Sequence, residues 1–356
     1  MTDTLEELTQ KTRTYSDWSS TKGFRTDALP WRLWDKAKRL HWDPAAIDFT
    51  QDAKDWASLE PEQQMVVAGL ATGFMVGEEG VTLDIMPLVF AMADENRAEE
   101  TMFLTSFAYE EAKHVDFFHR WFQAIGVSPL EMRKMQRERA KEAGMRLQDE
   151  EQPNGLFESI LPRTMRRLLT DRSPAAFLEA SVTYNQFIEG CLAIAGYRMW
   201  GQMFDAFGVL PGLREGIGHI QDDERRHIAY GTYLCRRIIA ADHSLVDYAV
   251  DKMYELRGLY AQGFPGLRSG NGLSRASAEE VIASARAAQA EAQTNGDGGG
   301  GYGGGGNGQF SIFAEVMLRQ VDRRIALLRN AAKLDIASAE TGAGAEEIEQ
   351  ELEKVN

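Results

Sequence analysis

Two short motifs in this chain could hold metal: Glu111-Ala112-Lys113-His114 and Glu224-Arg225-Arg226-His227, each a glutamate followed three residues later by a histidine. On a helix such residues share a face about one turn apart, so each motif can aim a carboxylate and an imidazole at a single point. A lone glutamate precedes each motif in a long helical stretch, Glu78 by 33 residues and Glu189 by 35. Both sit among apolar residues, Glu78 in Phe74-Met75-Val76-Gly77-Glu78-Glu79-Gly80-Val81 and Glu189 in Phe187-Ile188-Glu189-Gly190-Cys191-Leu192. A carboxylate facing a core is costly unless it is paired or bound to metal. One Glu-x-x-His in a charged helical protein is usually a solvated surface pair, but two, each with a glutamate from an apolar helix, point to a dimetal site. Imidazole and carboxylate ligation suits iron or manganese, and the lack of thiolates disfavours structural zinc. A dimetal(II) pair with open positions can reduce oxygen by four electrons. The protein then holds the geometry, keeps the pocket dry and places an oxidisable group nearby.

The neighbouring titratable groups sort by direction. Glu79 and Glu110 are one residue, about 100°, from the proposed ligands and cannot point the same way; they are expected on the outer face or just outside the ligand set. Asp223 precedes Glu224 and could accept a proton from a ligand histidine. His41, His119, His219 and His243 lack ligand spacing and are expected to be surface or satisfied histidines.

These residues need long helices, and the chain supplies them. Ser58 with Pro61 and Glu62 opens an apolar-periodic stretch expected to run to about Ala93, followed by helices at roughly 95–124, 129–148, 174–203, 211–240 and 244–262. Period-two alternation is almost absent, so the class is all-α. Two helices with Glu-x-x-His and two with one glutamate each form the known ligand set of ferritin-like dimetal carboxylate bundles, so a ferritin-like four-helix bundle core with additional helices is expected. Residues 1–57 carry five of the seven tryptophans and read as a segment packing on the bundle, with 58–265 as the bundle itself. Residues 266–356 read as a helical appendage: an alanine-rich helix to about Gln293, ten glycines within 295–308 as a flexible linker, an amphipathic helix from Phe310 to Leu334, and a frayed acidic end from Ser338.

Bulk properties narrow the partners. The 356 residues are 44% hydrophobic, ample for a core, and the net charge of −15 argues against a nucleic acid as partner. The two cysteines, Cys191 and Cys235, exclude a disulfide framework and fit a reducing compartment. The N-terminus lacks a signal-peptide layout and no apolar run approaches a membrane span, so a cytoplasmic protein with no transmembrane segment is expected.

The combination of motifs resembles the ligand-binding oxidases related to the ribonucleotide reductase small subunit. It is carried by Trp42-Asp43-Pro44 through Thr50, Gly77–Thr82, Phe107–His114, Ser181–Gly190 and Asp222–His227, which span roughly residues 40–240. The glycine-rich tail lies outside that pattern. The resemblance implies a manganese/iron pair, with Glu78, Glu111 and His114 on one metal and Glu189, Glu224 and His227 on the other. Glu111 and Glu224 would bridge. It further implies molecular oxygen as substrate, a long-chain fatty-acid-like ligand in an apolar tunnel, a homodimer, and an ether crosslink between the Tyr184 oxygen and the Val81 β-carbon. Tyr197 matches a tyrosine lying just outside the ligand set. Val81 is three residues after Glu78, on the same face. Tyr184 is five before Glu189, about 140° away on an ideal helix, and a π-bulge between them would reduce that to about 40°.

Two rival functions stand beside the oxidase. A ribonucleotide reductase small subunit stores an oxidising equivalent, commonly on a tyrosine four residues after the first ligand histidine. That position is Phe118 here, although a manganese/iron subgroup also has phenylalanine there. Trp42 and Asp223 resemble the start of its radical path, yet the residues after Tyr302 contain neither tyrosine nor tryptophan. The other rival is a non-catalytic protein that stores metal or binds fatty acids.

Overall fold

The computed structural model describes residues 17–142, 155–261, 275–294 and 312–342, with Thr12 and Thr14. Every regular element among the described residues is helical. After one turn at Ser19–Lys22 come α1 (Leu29–Arg39), α2 (Thr50–Ser58), α3 (Pro61–Asp84), α4 (Met86–Asp94), α5 (Ala98–Ile125), α6 (Pro129–Glu142) and α7 (Leu161–Arg167). Helix α8 (Pro174–Ser181) runs through a π-helical segment, Val182–Ala193, into α9 (Ile194–Phe207). Then follow α10 (Pro211–Ala241), α11 (Val246–Ala261), α12 (Ala278–Thr294), α13 (Ile312–Ala331) and α14 (Ile336–Thr341).

The all-α ferritin-like expectation holds. Helix α3 packs along α5, α10 packs along the π segment, and α5 also meets α10, so the four ligand-bearing stretches enclose one interior. Local chemistry sets the ends. Gly126 closes α5 in the left-handed conformation at φ 70°, which costs a glycine no Cβ clash. The Ser173 side chain accepts from the Ala176 amide at the start of α8. At the start of α10, buried Asp52 accepts from the Gly212 and Leu213 amides, both at 2.8 Å. Asp52 belongs to α2, so this ties the N-terminal segment to the bundle.

Four local expectations need correction. The cap of α3 is Glu60, reciprocally bonded with Gln63, and Ser58 instead ends α2. The stretch to Ala93 breaks at Ile85, because Pro87 has no amide to continue the ladder. The helix begun at Pro174 continues to Phe207, but its middle is π-helical. Ser338 is not frayed: it lies in α14, where its amide donates to the Asp335 side chain. The glycine tract 295–308, the end of the charged helix beyond Glu142, and the acidic residues after 342 lie outside the described residues.

The described residues after 265 include a helix that packs on the bundle and is not a separate appendage. Helix α13 lies on α9, α10, α11 and the π segment, burying Met317, Leu318, Val321, Ile325 and Leu328. Its Arg324, 1% exposed, reaches the Gly190 carbonyl with Nε at 3.4 Å. Pro61–Asp94 is long and apolar enough to cross a membrane by composition, but Glu78 and Asp84 are buried within the protein and the stretch packs on α5, as a core helix does.

Candidate metal centre

The six expected residues converge. Glu78 comes from α3, Glu111 and His114 from α5, Glu189 from the π segment, and Glu224 and His227 from α10, and all are buried. Their donor atoms form two clusters, Glu78–Glu111–His114–Glu224 and Glu111–Glu189–Glu224–His227, with atoms in each within 4.8 Å of one another. Glu111 and Glu224 belong to both, as bridging carboxylates must. Glu224 Oε1 stands 3.7 Å from His114 Nδ1 and 3.8 Å from His227 Nδ1, almost midway. His114 Nδ1 is 3.2 Å from Glu78 Oε2, and His227 Nδ1 is 3.1 Å from Glu111 Oε1. Glu111 Oε2, Glu189 Oε1 and Glu224 Oε2 are buried without hydrogen-bond partners. Such groups need a partner, and three inward-facing carboxylate oxygens of this kind fit bound cations.

The residues just outside this set hold it crosswise. His114 Nε2 is 3.1 Å from Asp223 Oδ2, and Asp223 precedes the other motif. His227 Nε2 is 2.9 Å from Glu110 Oε2, and Glu110 precedes the first motif. Each histidine thus keeps Nδ1 for a metal while Nε2 donates to a carboxylate on the facing helix, which fixes tautomer and ring plane. Arg226 ties the two acids together, bonding Glu110 at 2.6 Å and also Asp223. Lys113 reaches Asp223 Oδ2 at 2.8 Å. Asn185 donates to Glu189 Oε2 at 2.9 Å.

Sequence reasoning placed Asp223 correctly and left Glu110 open between two locations; Glu79 is exposed. It missed Lys113, Arg226 and Asn185. A usable signal existed, because each motif carries a cation immediately before its histidine. Of the four histidines set aside, His41, His119 and His243 are exposed, and His219 stacks on Trp42 with ring centroids 5.1 Å apart.

Burial sets the site's protonation. It pushes Glu78 and Glu189 well above the usual carboxylate range, with the Glu111 charge adding to the first and Glu224 to the second. Glu224 also rises, through burial and the Glu111 charge. Glu111 goes the other way: burial opposes ionisation, but the hydrogen bond and charge of His227 outweigh it. Burial disfavours charged His114, yet the Glu78 charge and the bonds to Asp223 and Glu78 raise it to about 10. His227 is raised well above its ordinary value, with the Glu110, Glu111 and Glu224 bonds overcoming burial. Asp223 falls far below the carboxylate range despite its burial, held there by His114, Arg226 and Lys113.

Comparison with known proteins places the chain in a family. The family model for the ribonucleotide reductase small chain matches residues 26–257. An R2-like ligand-binding oxidase from Sulfolobus acidocaldarius is 27% identical with a TM-score of 0.66, covering 90% of this chain and 97% of that one. An R2-like ligand-binding oxidase with an aerobically reconstituted Mn/Fe cofactor is 30% identical with a TM-score of 0.67, covering 88% and 98%. The chain belongs to the ligand-binding oxidase branch of the ribonucleotide reductase small-chain family.

Against that family background the remaining expected residues can be placed. The Tyr184 hydroxyl donates to Glu111 Oε1 at 3.0 Å, and its phenol is held well above its ordinary pKa by burial and the surrounding carboxylates. The π geometry explains this placement, since its i→i+5 repeat puts Tyr184 and Glu189 about one turn apart. Val81 is buried in the same apolar cluster as Tyr184 and Phe107. Tyr197 is buried beside Phe74 and Trp200, with its hydroxyl unpartnered. Phe118 is fully buried against Phe74 and Phe117, so an aromatic ring without a phenol stands where small subunits commonly keep tyrosine. A cleft of about 370 Å³ between α9 and α10 has a mixed lining, apolar at Ile194, Trp200, Phe204, Ile217 and Ile228 and polar at Arg198, Asp205, Arg214 and Arg225, and it reaches Tyr197 and Glu224.

Proposed function

We propose that this protein is an oxygen-activating oxidase holding a manganese/iron pair, and that it joins Tyr184 to Val81 through an ether bond. The observation that carries the reading is the pair of buried ligand clusters sharing Glu111 and Glu224, with the Tyr184 hydroxyl 3.0 Å from bridging Glu111. When bound, the metal pair supplies the oxidising power for oxygen-dependent chemistry. The chain's own residues do the rest. Glu78, Glu111 and His114 hold one metal, and Glu189, Glu224 and His227 hold the other. Asp223 and Glu110 keep the histidine tautomers, and Phe107, stacked on His227 at 3.5 Å between centroids, helps exclude water. In crosslinking, the Tyr184 O–H and Val81 Cβ–H bonds would break and an O–Cβ bond form, the two electrons and two protons going to molecular oxygen on its way to water, with the remaining two electrons of its four-electron reduction coming from the metal pair.

The cleft beside Glu224 is the location we assign to the long-chain fatty-acid-like ligand, because Ile194, Trp200, Phe204, Ile217 and Ile228 offer an apolar wall for the chain while Arg198, Arg214 and Arg225 in the same lining offer charge for its carboxylate. We assign the exposed apolar run Leu83, Met86 and Phe90 to contact with a second copy of the chain.

The test is aerobic loading with manganese and iron, followed by intact-mass and peptide analysis. The mass should fall by about two units relative to apo-protein, on the logic of oxidation driven by the cofactor, and the Val81 and Tyr184 peptides should be recovered joined. Anaerobic loading should leave them separate, and Tyr184→Phe should abolish the link while both metals stay bound. Separate peptides after aerobic loading would favour the small-subunit reading, which the Trp42–Asp223–His114 hydrogen-bonded chain supports. A loaded protein that takes up no oxygen would favour the non-catalytic binding reading.

A further inference from the structure

One buried cation has no part in binding metal, and its position bears on where oxidising equivalents can go. Trp42 is the oxidisable side chain linked outward from the ligand His114. Its Nε1 donates to Asp223 Oδ2 at 2.8 Å, and the same oxygen is 3.1 Å from His114 Nε2. The Lys113 side chain is 2% exposed, its Nζ 2.8 Å from that oxygen and 4.5 Å from the centroid of the Trp42 ring. We propose that Lys113 is an electrostatic guard, whose ammonium group over the indole keeps Trp42 reduced and confines the oxidation to Tyr184 and Val81. This rests on the oxidase reading above.

The physics is direct. A cation over a neutral indole is attracted by the ring's electrons. One-electron oxidation places a positive charge on that ring, and the attraction becomes repulsion. At 4.5 Å and an effective dielectric of about 20, the repulsion between unit charges shifts the oxidation equilibrium by roughly two to three powers of ten. Electron and proton both count here. The electron would pass from Trp42 to the oxidised metal pair, reducing it by one, and the Nε1 proton would stay on the ring or move to Asp223. Asp223 is poorly placed to take it. Arg226 occupies Oδ1, and Lys113, Trp42 and His114 surround Oδ2. Removing Lys113 would ease both transfers. A purely structural role, neutralising buried Asp223, would leave Trp42 reactivity untouched.

The test uses the full chain loaded anaerobically with manganese(II) and a photogenerated ruthenium(III) tris-bipyridine oxidant, with sites of oxidation read by peptide mapping. Trp56 is the internal reference, since it is 8% exposed like Trp42. Lys113→Met should speed Trp42 oxidation by about tenfold or more, on the Coulomb shift above, with Trp56 unchanged. Lys113→Arg, which keeps the charge, should behave as wild type. An unchanged Trp42 rate in Lys113→Met, or a parallel rise at Trp56, overturns the proposal. In a second arm, Mn/Fe-loaded Lys113→Met exposed to air should give an indole radical by electron paramagnetic resonance. That signal should be absent from wild type and from the Lys113→Met/Trp42→Phe double variant. Oxygen uptake by Lys113→Met without that radical overturns the guard. No oxygen uptake by wild type overturns the oxidase reading instead, while the photo-oxidation arm still decides the effect of the charge.

Discussion

Gly231→Ala is the most informative single perturbation, because it presses on a metal ligand without touching one. Gly231 lies on α10 facing the π segment, and a Cβ there would stand 2.0 Å from Asn185 Cβ, 2.5 Å from its Cγ and 2.7 Å from its Oδ1. Asn185 is fully buried, donates to Glu189 Oε2 at 2.9 Å, and receives the Ser181 hydroxyl at 3.1 Å. It must move, and Glu189 loses its partner. Overpacking of a dense core costs about 1–3 kcal/mol, and a buried polar group left unsatisfied costs about another 1–3 kcal/mol. Asn185→Gly alone removes the hydrogen bonds and the Cβ that the new methyl would strike. In the double variant, Gly231→Ala with Asn185→Gly, the new methyl enters the space that the Asn185 side chain vacates, its Cβ included, so the overpacking cost disappears. The coupling between the two substitutions should therefore be favourable by about 2–6 kcal/mol, the overpacking relieved plus the Glu189 hydrogen bond that each single variant loses. Urea unfolding of the four apo-proteins measures it, and metal content after loading reads the effect on Glu189. If Gly231→Ala is neutral, or if the two effects add without coupling, the proposed wedge between α10 and the π segment is wrong.

The remaining predictions address the ligands, the C-terminal helix and protons. Wild type should bind two metals per chain, whereas Glu111→Ala and His227→Ala should lose metal in elemental analysis; full content in both would remove these residues from the site. Deleting residues 266–356 should lower the melting temperature and metal uptake, because α13 and Arg324 no longer cover the π segment at Gly190. A truncated chain as stable and metal-competent as the full one would show that this packing contributes nothing. Metal uptake should release protons, since burial raises Glu78 and Glu189 and the carboxylates hold His114 near 10 in the metal-free protein. The His114 proton is bound at neutral pH and must leave, and the upward shifts of Glu78 and Glu189 act in the same direction, so apparent affinity and the metal-induced rise in melting temperature should both grow from about pH 6 to pH 8. Calorimetry in buffers of different ionisation enthalpy measures the release; an affinity flat across that range would contradict the protonation described.

Spacing along the chain was enough to nominate the candidate ligands, which the fold then brings together. Glu-x-x-His places two donors on one helical face whatever surrounds it, and a glutamate among apolar residues must find a partner, so Glu78, Glu111, His114, Glu189, Glu224 and His227 were legible, as was an all-helical bundle to carry them. The position of Tyr184 was legible only as a condition. Whether a helix widens to the π form depends on neighbours such as Asn185, Gly231 and Arg324, which no local periodicity reports. Tertiary structure alone decided the crosswise support, in which Glu110 serves the histidine of the second motif and Asp223 that of the first, because facing helices bring together residues more than 100 positions apart. It also decided the place of α13. Its amphipathic pattern announced a buried face, but only packing could say that the face covers the helix holding Glu189.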